Sequence, residues 1–424
     1  MHKVLVSSSN KRCTLNPLLI TGFGTSINVD RRKLIITNRL KDTRLEFYPH
    51  KINHDGIIID GHTGNITFEA MRWLSKHNIN LTLLNWNGQL LANVMPEQPK
   101  SGRLRVKQYQ KYLDSTSRFE VVLKIVQTKV EHSLNLLEQL SRFYESVDIA
   151  RIKKSAEKED LFLLGIMKNS EKQDISKSIK QLMTYEGRIA GIYLENLTEI
   201  FNRLNPEFNF TGRKNKTNSR NYNASDEINA LLNYGYAILE SEIRKGINSV
   251  GLDYSIGFLH EINQSRTPLV YDIQELFRWL IDVSVIQLLE EKKIKKSDFI
   301  ITENYHTRLD ENVAKLLIEK INSNFNVRYD YKNNKQYSYQ IILQDNIQQL
   351  SNFILEKKKE FDFVIPKTKL NRNDSLELRK KILNMTSEER KRLGINKSTL
   401  WYITKNLSEG KTPKIYEKIL LKIK

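Results

Sequence analysis

The stretch SIKQLMTYEGRIAGIYLENLTEIF, Ser178 to Phe201, carries apolar side chains at Ile179, Leu182, Met183, Ile189, Ala190, Tyr193, Leu197 and Ile200. Recurrence at three and four residues predicts a helix with one face against a core. The position that completes the stripe between Met183 and Ile189 is Glu186, so a carboxylate points inward. Burying it uncompensated is costly or forces it to protonate, so a cation, a metal ion or hydrogen-bond donors must stand opposite. An ion pair with Arg188 or with an arginine elsewhere meets the same need. Gly187 and Gly191, one turn apart, predict that another segment approaches this helix closely.

The same periodicity runs through Arg105 to Phe143, Asp226 to Val250 and Leu269 to Lys293, which predicts a body of long packing helices. NPEFNFTGRKNKTNSRNYNAS, between two of them, is polar and basic and reads as a loop. Upstream the texture is different. From Ile20 to about Val94, KLIIT, GIIID, NITF and LTLLNW are short β-branched or aliphatic runs separated by Gly, Asn and Asp. Asn87-Gly88 between LTLLNW and QLLANV predicts a hairpin, because both residues tolerate positive φ. EAMRWLSKHN is the one helical interruption of this β-rich part.

From Lys367 the composition shifts again, with 16 Lys or Arg against 6 Asp or Glu up to Lys424. SLELRKKILNM, TSEERKRLGI, NKSTLWYITKNL and TPKIYEKILLKIK read as three or four short helices. Thr386 and Glu389 make a capping box, Gly394 closes the second helix, and Asn396 or Ser398 caps the third. The tail supplies more than half of the net charge of +19 that 68 Lys and Arg against 49 Asp and Glu give the 424-residue chain. A pI near 9.6 points to a polyanion, nucleic acid or an acidic membrane surface, as partner. At this length two or three domains are expected. One cysteine, Cys13, excludes an intrachain disulfide framework and a Cys-based zinc cluster, and fits a reducing interior. No apolar run approaches the ~18 residues of a membrane span, and MHKVLVSSSNKRC lacks the apolar middle of a secretory signal. The expectation is a soluble, cytoplasmic protein.

In GFLHEINQSRTPLVYDIQELFR, Gly257 to Arg278, His260 ends an apolar run and Asp272 and Glu275 follow a Thr-Pro helix start. Acids in a first turn are favoured by the helix dipole without any further role. Here the core stripe is Ile273, Leu276, Phe277 and Leu280, which leaves Asp272, Glu275 and Trp279 on an adjoining stripe, neither solvated nor core. Side chains three apart on a helix reach one centre. Glutamate, histidine and a further acid suit a hard or borderline divalent ion; the oxygens favour Mg²⁺ or Mn²⁺ and the imidazole tips the preference toward Mn²⁺. His306 in ENYHTR is a rival histidine, and no HExxH supports zinc.

In chain order, NITFEAMRWLSKHNINLTLLNWNG, YEGRIAGIYLENL, DEINALLNYGYAILESEI, GLDYSIGFLHE and PLVYDIQELFR resemble blocks of the CRISPR-associated spacer integrases, over roughly Ile20 to Pro366. The resemblance implies a β-rich dimerisation domain over residues 1–98 and an all-helical catalytic domain over 99–366. It implies a divalent metal held by Glu186, His260 and Glu275, with Asp272 as a second acid needed nearby; the last acid of the set is often aspartate. The basic tail, 367–424, makes a small helix-turn-helix-like DNA-binding domain, an addition that resembles casposases, the transposases of casposon elements, which recognise terminal inverted repeats. The fold class expected is thus α+β multidomain. In the tail's third helix Leu400, Ile403 and Leu407 face inward, leaving Lys397, Ser398, Thr399, Tyr402 and Lys405 for a major groove. Arg188, Arg278, Lys214 and Lys216 are candidate phosphate contacts. The resemblance implies a nucleoid-associated homodimer, or a higher assembly on DNA, that joins 3′-hydroxyl ends of an element to target duplex by transesterification. A spacer-acquisition integrase, which depends on a protein partner, and a non-catalytic DNA-binding regulator remain as alternatives.

Overall fold

The computed structural model describes residues 15–21, 23–49, 51–61, 63–85, 88–99, 101–169, 175–213, 224, 226–260, 267–301, 306–358, 360–370, 382–392, 394 and 396–408. Its first part holds β1 (Leu18–Thr21), β2 (Thr25–Asp30), β3 (Lys33–Asn38), β4 (Thr43–Phe47), β5 (Gly56–Asp60), β6 (Gly64–Ile66), α1 (Phe68–Lys76), β7 (Asn80–Leu84) and β8 (Leu90–Val94). They form two four-stranded sheets, β1-β5-β7-β8 and β4-β3-β2-β6. In the first, β1, β5 and β7 run parallel and β8 returns antiparallel through the expected hairpin, where Gly88 has φ +76° and Asn85 N–H bonds the Gln89 carbonyl at 2.7 Å. Asn87 lies outside the described residues. Thr67 caps α1 by accepting from Ala70 N–H, and the apolar face of α1 closes a small core with Ile27, Leu34, Ile57 and Leu81.

A second, larger core belongs to the helices: α2 (Gly102–Leu113), α3 (Ser115–Leu140), α4 (Ile149–Asn169), α5 (Ile175–Leu204), α6 (Glu227–Val250), α7 (Pro268–Glu275), α8 (Arg278–Glu290), α9 (Glu311–Asn326) and α10 (Tyr339–Ile354). Two short hairpins, β9 (Phe299–Ile301) with β10 (Thr307–Leu309) and β11 (Arg328–Asp330) with β12 (Gln336–Ser338), are set among them. Two expected helices are each divided. Asp114 ends α2 and caps α3 by accepting from Ser117 N–H, and Leu276 and Phe277 separate α7 from α8. Apolar periodicity runs unbroken through Leu276-Phe277, so it conceals that break. α4 escapes it for the opposite reason: its first half, IARIKKSAEKED, has more charge than apolar surface.

α6 is the spine that joins the two parts. Ser241 Oγ lies 2.6 Å from Thr82 Oγ1 on β7, Tyr234 donates to Asp60 at the end of β5 at 3.2 Å, and Lys245 pairs with Asp55 at 2.9 Å. Lys245 also lies 3.7 Å from Glu242, whose carboxyl is pushed up to about 7 by burial, against the pull of Lys245. A Cβ on Gly235 would stand 2.4 Å from Ile281 Cγ2, so α6 meets α8 more closely than any side chain permits. Gly187 and Gly191 have no such role, contrary to expectation: they lie on the exposed face of α5, where an added Cβ meets nothing within 4 Å.

The helical body continues past the expected limit at 366. Tyr339 donates to the Pro366 carbonyl at 2.9 Å, Lys367 pairs with Glu131 at 2.9 Å, and Leu370 packs on the core. In the tail, α11 (Ser387–Arg392) begins with the expected capping box, Thr386 N–H to Glu389 at 2.8 Å and Glu389 N–H to Thr386 at 3.3 Å. Gly394 has φ +58°, and Asn396 accepts from Ser398 N–H at 3.1 Å to start α12 (Lys397–Ser408). Among the described residues no helix is long and apolar enough to cross a membrane.

Candidate active site

α5 places Glu186 where the stripe predicts, between buried Leu182 and Ile189; Met183 is the departure, 43% exposed, because Tyr185 takes the inward place. The cation opposite Glu186 is neither Arg188 nor any other arginine. It is Lys129 of α3, whose Nζ lies 2.5 Å from Glu186 Oε1 and 2.5 Å from Glu275 Oε2. Burial by itself would lower the Lys129 ammonium; Glu275 and Glu186 outweigh it and raise it. Glu275 is fully buried on α7, not on a half-solvated flank as its stripe implied, and Asp272 and Trp279 are buried with it. Burial opposes the Glu275 charge, yet Arg278, bonded to Oε1 at 2.7 Å, and Lys129 hold its carboxyl down at about 2.

Asp272 has a different environment. Its Oδ2 accepts from the N–H groups of Phe258 and Leu259 at 2.5 and 3.1 Å, and its Oδ1 accepts from His260 N–H at 3.0 Å and lies 2.8 Å from His260 Nδ1. Gly257 makes this approach possible, since a Cβ there would stand 2.7 Å from the Pro268 carbonyl carbon. Both Asp272 oxygens are thus committed to the turn that carries His260. The bond assigns the ring proton to Nδ1 and leaves Nε2 as the nitrogen for a ligand. Burial by itself would lower the His260 imidazole; Asp272 outweighs it and raises it.

Beside the carboxylates lies a cavity of about 170 Å³, walled by α3, α5, α6 and α8 and reaching Glu186 and Glu275 at one side. In its wall Asp282 accepts from Tyr193 at 2.7 Å and Tyr236 at 2.6 Å, and the Tyr236 ring lies near Arg278 at 4.5 Å and Arg213 at 5.3 Å.

The expected residues therefore gather unequally. Glu186 and Glu275 share a cation, His260 and Asp272 share a bond, and Arg278 joins the first couple. Among the described residues no three His, Cys, Asp or Glu side chains stand close enough together to hold a metal ion. The donors nevertheless fit one in kind. Two carboxylates from separate helices already converge on a single positive charge, and Glu275 Oε2, buried, meets the Lys129 ammonium at 2.5 Å. Arg188 leans the other way, bonded to Glu159 of α4 at 2.9 Å over the Phe162 ring, and does not line the cavity. Lys214 and Lys216 lie outside the described residues, as does the Leu407 side chain. On α12, Lys397, Ser398, Tyr402 and Lys405 are exposed, Thr399 is half-buried, and Leu400 and Ile403 are buried. Trp401, 63% exposed with Lys405 4.8 Å from its ring centre, stands outward too and was not anticipated.

Lys129 carried a signal in the sequence. It completes the apolar stripe Val122, Ile125, Val126 of α3 just as Glu186 completes that of α5, and the two stripes face each other. Asp282, alone in the apolar run LIDVSVIQLL, carried one as well.

Comparison with known proteins defines the class. Residues 18–323 match the family described as CRISPR associated protein Cas1, and the chain belongs to that family. Within it, a solved casposase bound to integration product is 33% identical, covers 87% of this chain and 99% of its own, and superposes with a TM-score of 0.73. A CRISPR-associated protein Cas1 of Methanobrevibacter ruminantium is 29% identical over 72% of this chain and 86% of its own length. A CRISPR-associated endonuclease Cas1 of Archaeoglobus fulgidus is 26% identical over 77% and 93%. A Cas1 structure from Thermotoga maritima, 18% identical with a TM-score of 0.63 over 83% of this chain and all of its own, shares the fold.

Proposed function

We propose that the chain is a metal-dependent DNA strand transferase that joins 3′-hydroxyl ends of a mobile element to target duplex. The observation that carries this reading is the convergence of Glu186 and Glu275, from two helices, on one cation beside the Asp272-held imidazole of His260, in a chain similar to a casposase bound to integration product. In the joining step the 3′-oxygen forms a bond to a target phosphorus, the phosphorus–oxygen bond on the far side breaks, and the hydroxyl proton ends on the released strand. Glu186, Glu275 and His260 Nε2 would hold the divalent ion, Mg²⁺ or Mn²⁺. When bound, it supplies positive charge that acidifies the attacking hydroxyl and offsets charge on the leaving oxygen. Asp272 fixes the imidazole through Nδ1–H, and Arg278 fixes Glu275. Lys129 stands between the carboxylates and must give way to a divalent ion.

The assignment of the β-rich part, 1–98, to dimerisation, of 99–366 to catalysis and of 367–424 to DNA reading belongs to the same proposal. The exposed face of α12, with Lys397, Ser398, Thr399, Tyr402 and Lys405, would enter a groove of the terminal repeat, while Arg188, Arg278, Lys214 and Lys216 would hold phosphates. Binding should then weaken steeply with salt. The similarity to Cas1 endonucleases favours a second reading, a spacer-acquisition integrase with the same core and an accessory tail. Purified chain, Mn²⁺ or Mg²⁺, a plasmid and short duplexes with or without a terminal repeat distinguish the readings. Covalent joining that Glu186→Gln abolishes is expected; equal joining by the variant rejects this centre. Truncation after Leu370 should cost preference for the repeat more than joining itself, and unchanged preference rejects the transposase reading.

A further inference from the structure

The cavity beside Glu186 and Glu275 holds a cation that no ion pair among the described residues uses. Three cations line it. Lys129 touches two carboxylates and Arg278 touches one, but Arg213 bonds only neutral amides: Nη1 to Asn229 Oδ1 and Nη2 to Asn233 Oδ1, each at 2.9 Å. Asn229 and Asn233 are one turn apart on α6, so both arms of the guanidinium fork are fixed by one rigid helix. Tyr236, one further residue along the same face, lies under the group. A guanidinium has five N–H donors, so three remain after these bonds.

Burial works against the Arg213 charge and lowers its affinity for the proton, Arg278 adds to the effect, and Tyr236, Asp282 and Asp226 pull the other way without overcoming it. An arginine stays charged nonetheless. The third carboxylate that lines the cavity, Asp282, already accepts from Tyr193 and Tyr236, and it acts on Arg213 through space. A partly buried cation fixed by neutral oxygens at the wall of a cavity gains from an anion that enters it. The cavity, about 170 Å³, is far larger than the ~15 Å³ that one water needs.

We propose that Arg213, with Arg278 beside the same Tyr236 ring, forms a phosphate subsite in the wall of this cavity, which takes a backbone phosphate of the DNA strand close to the one that reacts. This rests on the reading of the neighbouring carboxylates as the joining centre. Arg213 touches no reacting atom; it binds the strand and sets its register, as phosphate contacts do.

The test is a protein–DNA cycle on the full chain. Short duplexes ending in a 3′-hydroxyl, each with one methylphosphonate at a successive position near that end, are titrated against wild type, Arg213→Met and Arg213→Lys by fluorescence anisotropy in EDTA. One position should weaken wild-type binding about tenfold and leave Arg213→Met unaffected, and Arg213→Met should lower the salt slope by about one. Arg213→Lys, which keeps the charge and loses the fork, should keep the salt slope and lose part of the position effect. If both variants respond to every methylphosphonate as wild type does, the subsite is overturned. If inorganic phosphate raises the melting temperature of wild type but not of Arg213→Met, and no position depends on Arg213, the site takes a free anion and its assignment to DNA is overturned. Should Arg213→Met fail to fold, Arg213→Lys decides: a position effect equal to that of wild type overturns the proposal. Joining by wild type is scored separately in Mn²⁺, so failure of the joining reading shows as binding without joining while the cycle still reports on Arg213.

Discussion

Asp272 and Glu275 lie three residues apart on one short helix, are both buried, and have opposite fates. Asp272 spends both oxygens on three backbone N–H groups and one imidazole. Glu275 gives one oxygen to Arg278 and the other to the Lys129 ammonium, a side-chain cation in each case. The difference is one of partners. A carboxylate bonded to backbone N–H groups builds structure, whereas one held by side-chain cations stands where, on the proposed function, a divalent ion would take a cation's place.

Glu275→Gln should be the larger blow to activity: joining falls by about 10²-fold or more, and because the depressed pKa of Glu275 is itself folding stability at neutral pH, the melting temperature falls as well. Joining by the folded variant equal to that of wild type would erase the contrast. Asp272→Asn should do the reverse in kind, because an amide nitrogen turned toward backbone N–H groups loses their bonds; about 3 kcal/mol of stability is expected to go, read from denaturant unfolding. NMR titration of His260 in Asp272→Asn should show a lower pKa than in wild type, since Asp272 is what raises it. Lys129→Met sharpens the picture from the cation's side. Glu186 then loses its ion pair and Glu275 keeps only Arg278, so the variant should melt lower in EDTA and gain more from Mn²⁺ than wild type does; equal gains would mean that the ammonium and the ion do not compete. The smallest effect concerns Glu242. Its folded pKa, about 7, lies above the ordinary 4.5, so the folded state holds a proton that the unfolded state has released, and stability from this group falls as pH rises from about 4.5 through about 7. Glu242→Gln should flatten that slope in melts between those pH values.

Much of this was legible in the sequence for a local reason. Glu186 stands out because its neighbours at three and four residues are apolar, and that pattern survives folding. The switch from strand runs to helical runs near Pro99 is likewise local, and the smaller core keeps to the strand part, while Ile58 and Leu84 of the first sheet join the larger one. What stayed hidden depends on who faces whom. The partner of Glu186 lies on α3, and only the packing of α3 on α5 shows that two polar interruptions meet. The role of Asp272 depends on a turn at Phe258 to His260 that Gly257 lets come close. Arg213 stands at the edge of a lysine- and asparagine-rich loop and reads as solvated there, whereas two α6 amides draw it inward.

The Lys129 bridge bears on the order of events in the life of the chain. Two acidic side chains that waited for a divalent ion would repel each other during collapse and tie folding to metal supply. With an ammonium already between them, the carboxylates need no metal for the chain to fold. If they hold an ion as proposed, it would enter afterwards by exchange with the ammonium, and loading would be a late and reversible step, open to control by ion concentration at the place where DNA is met.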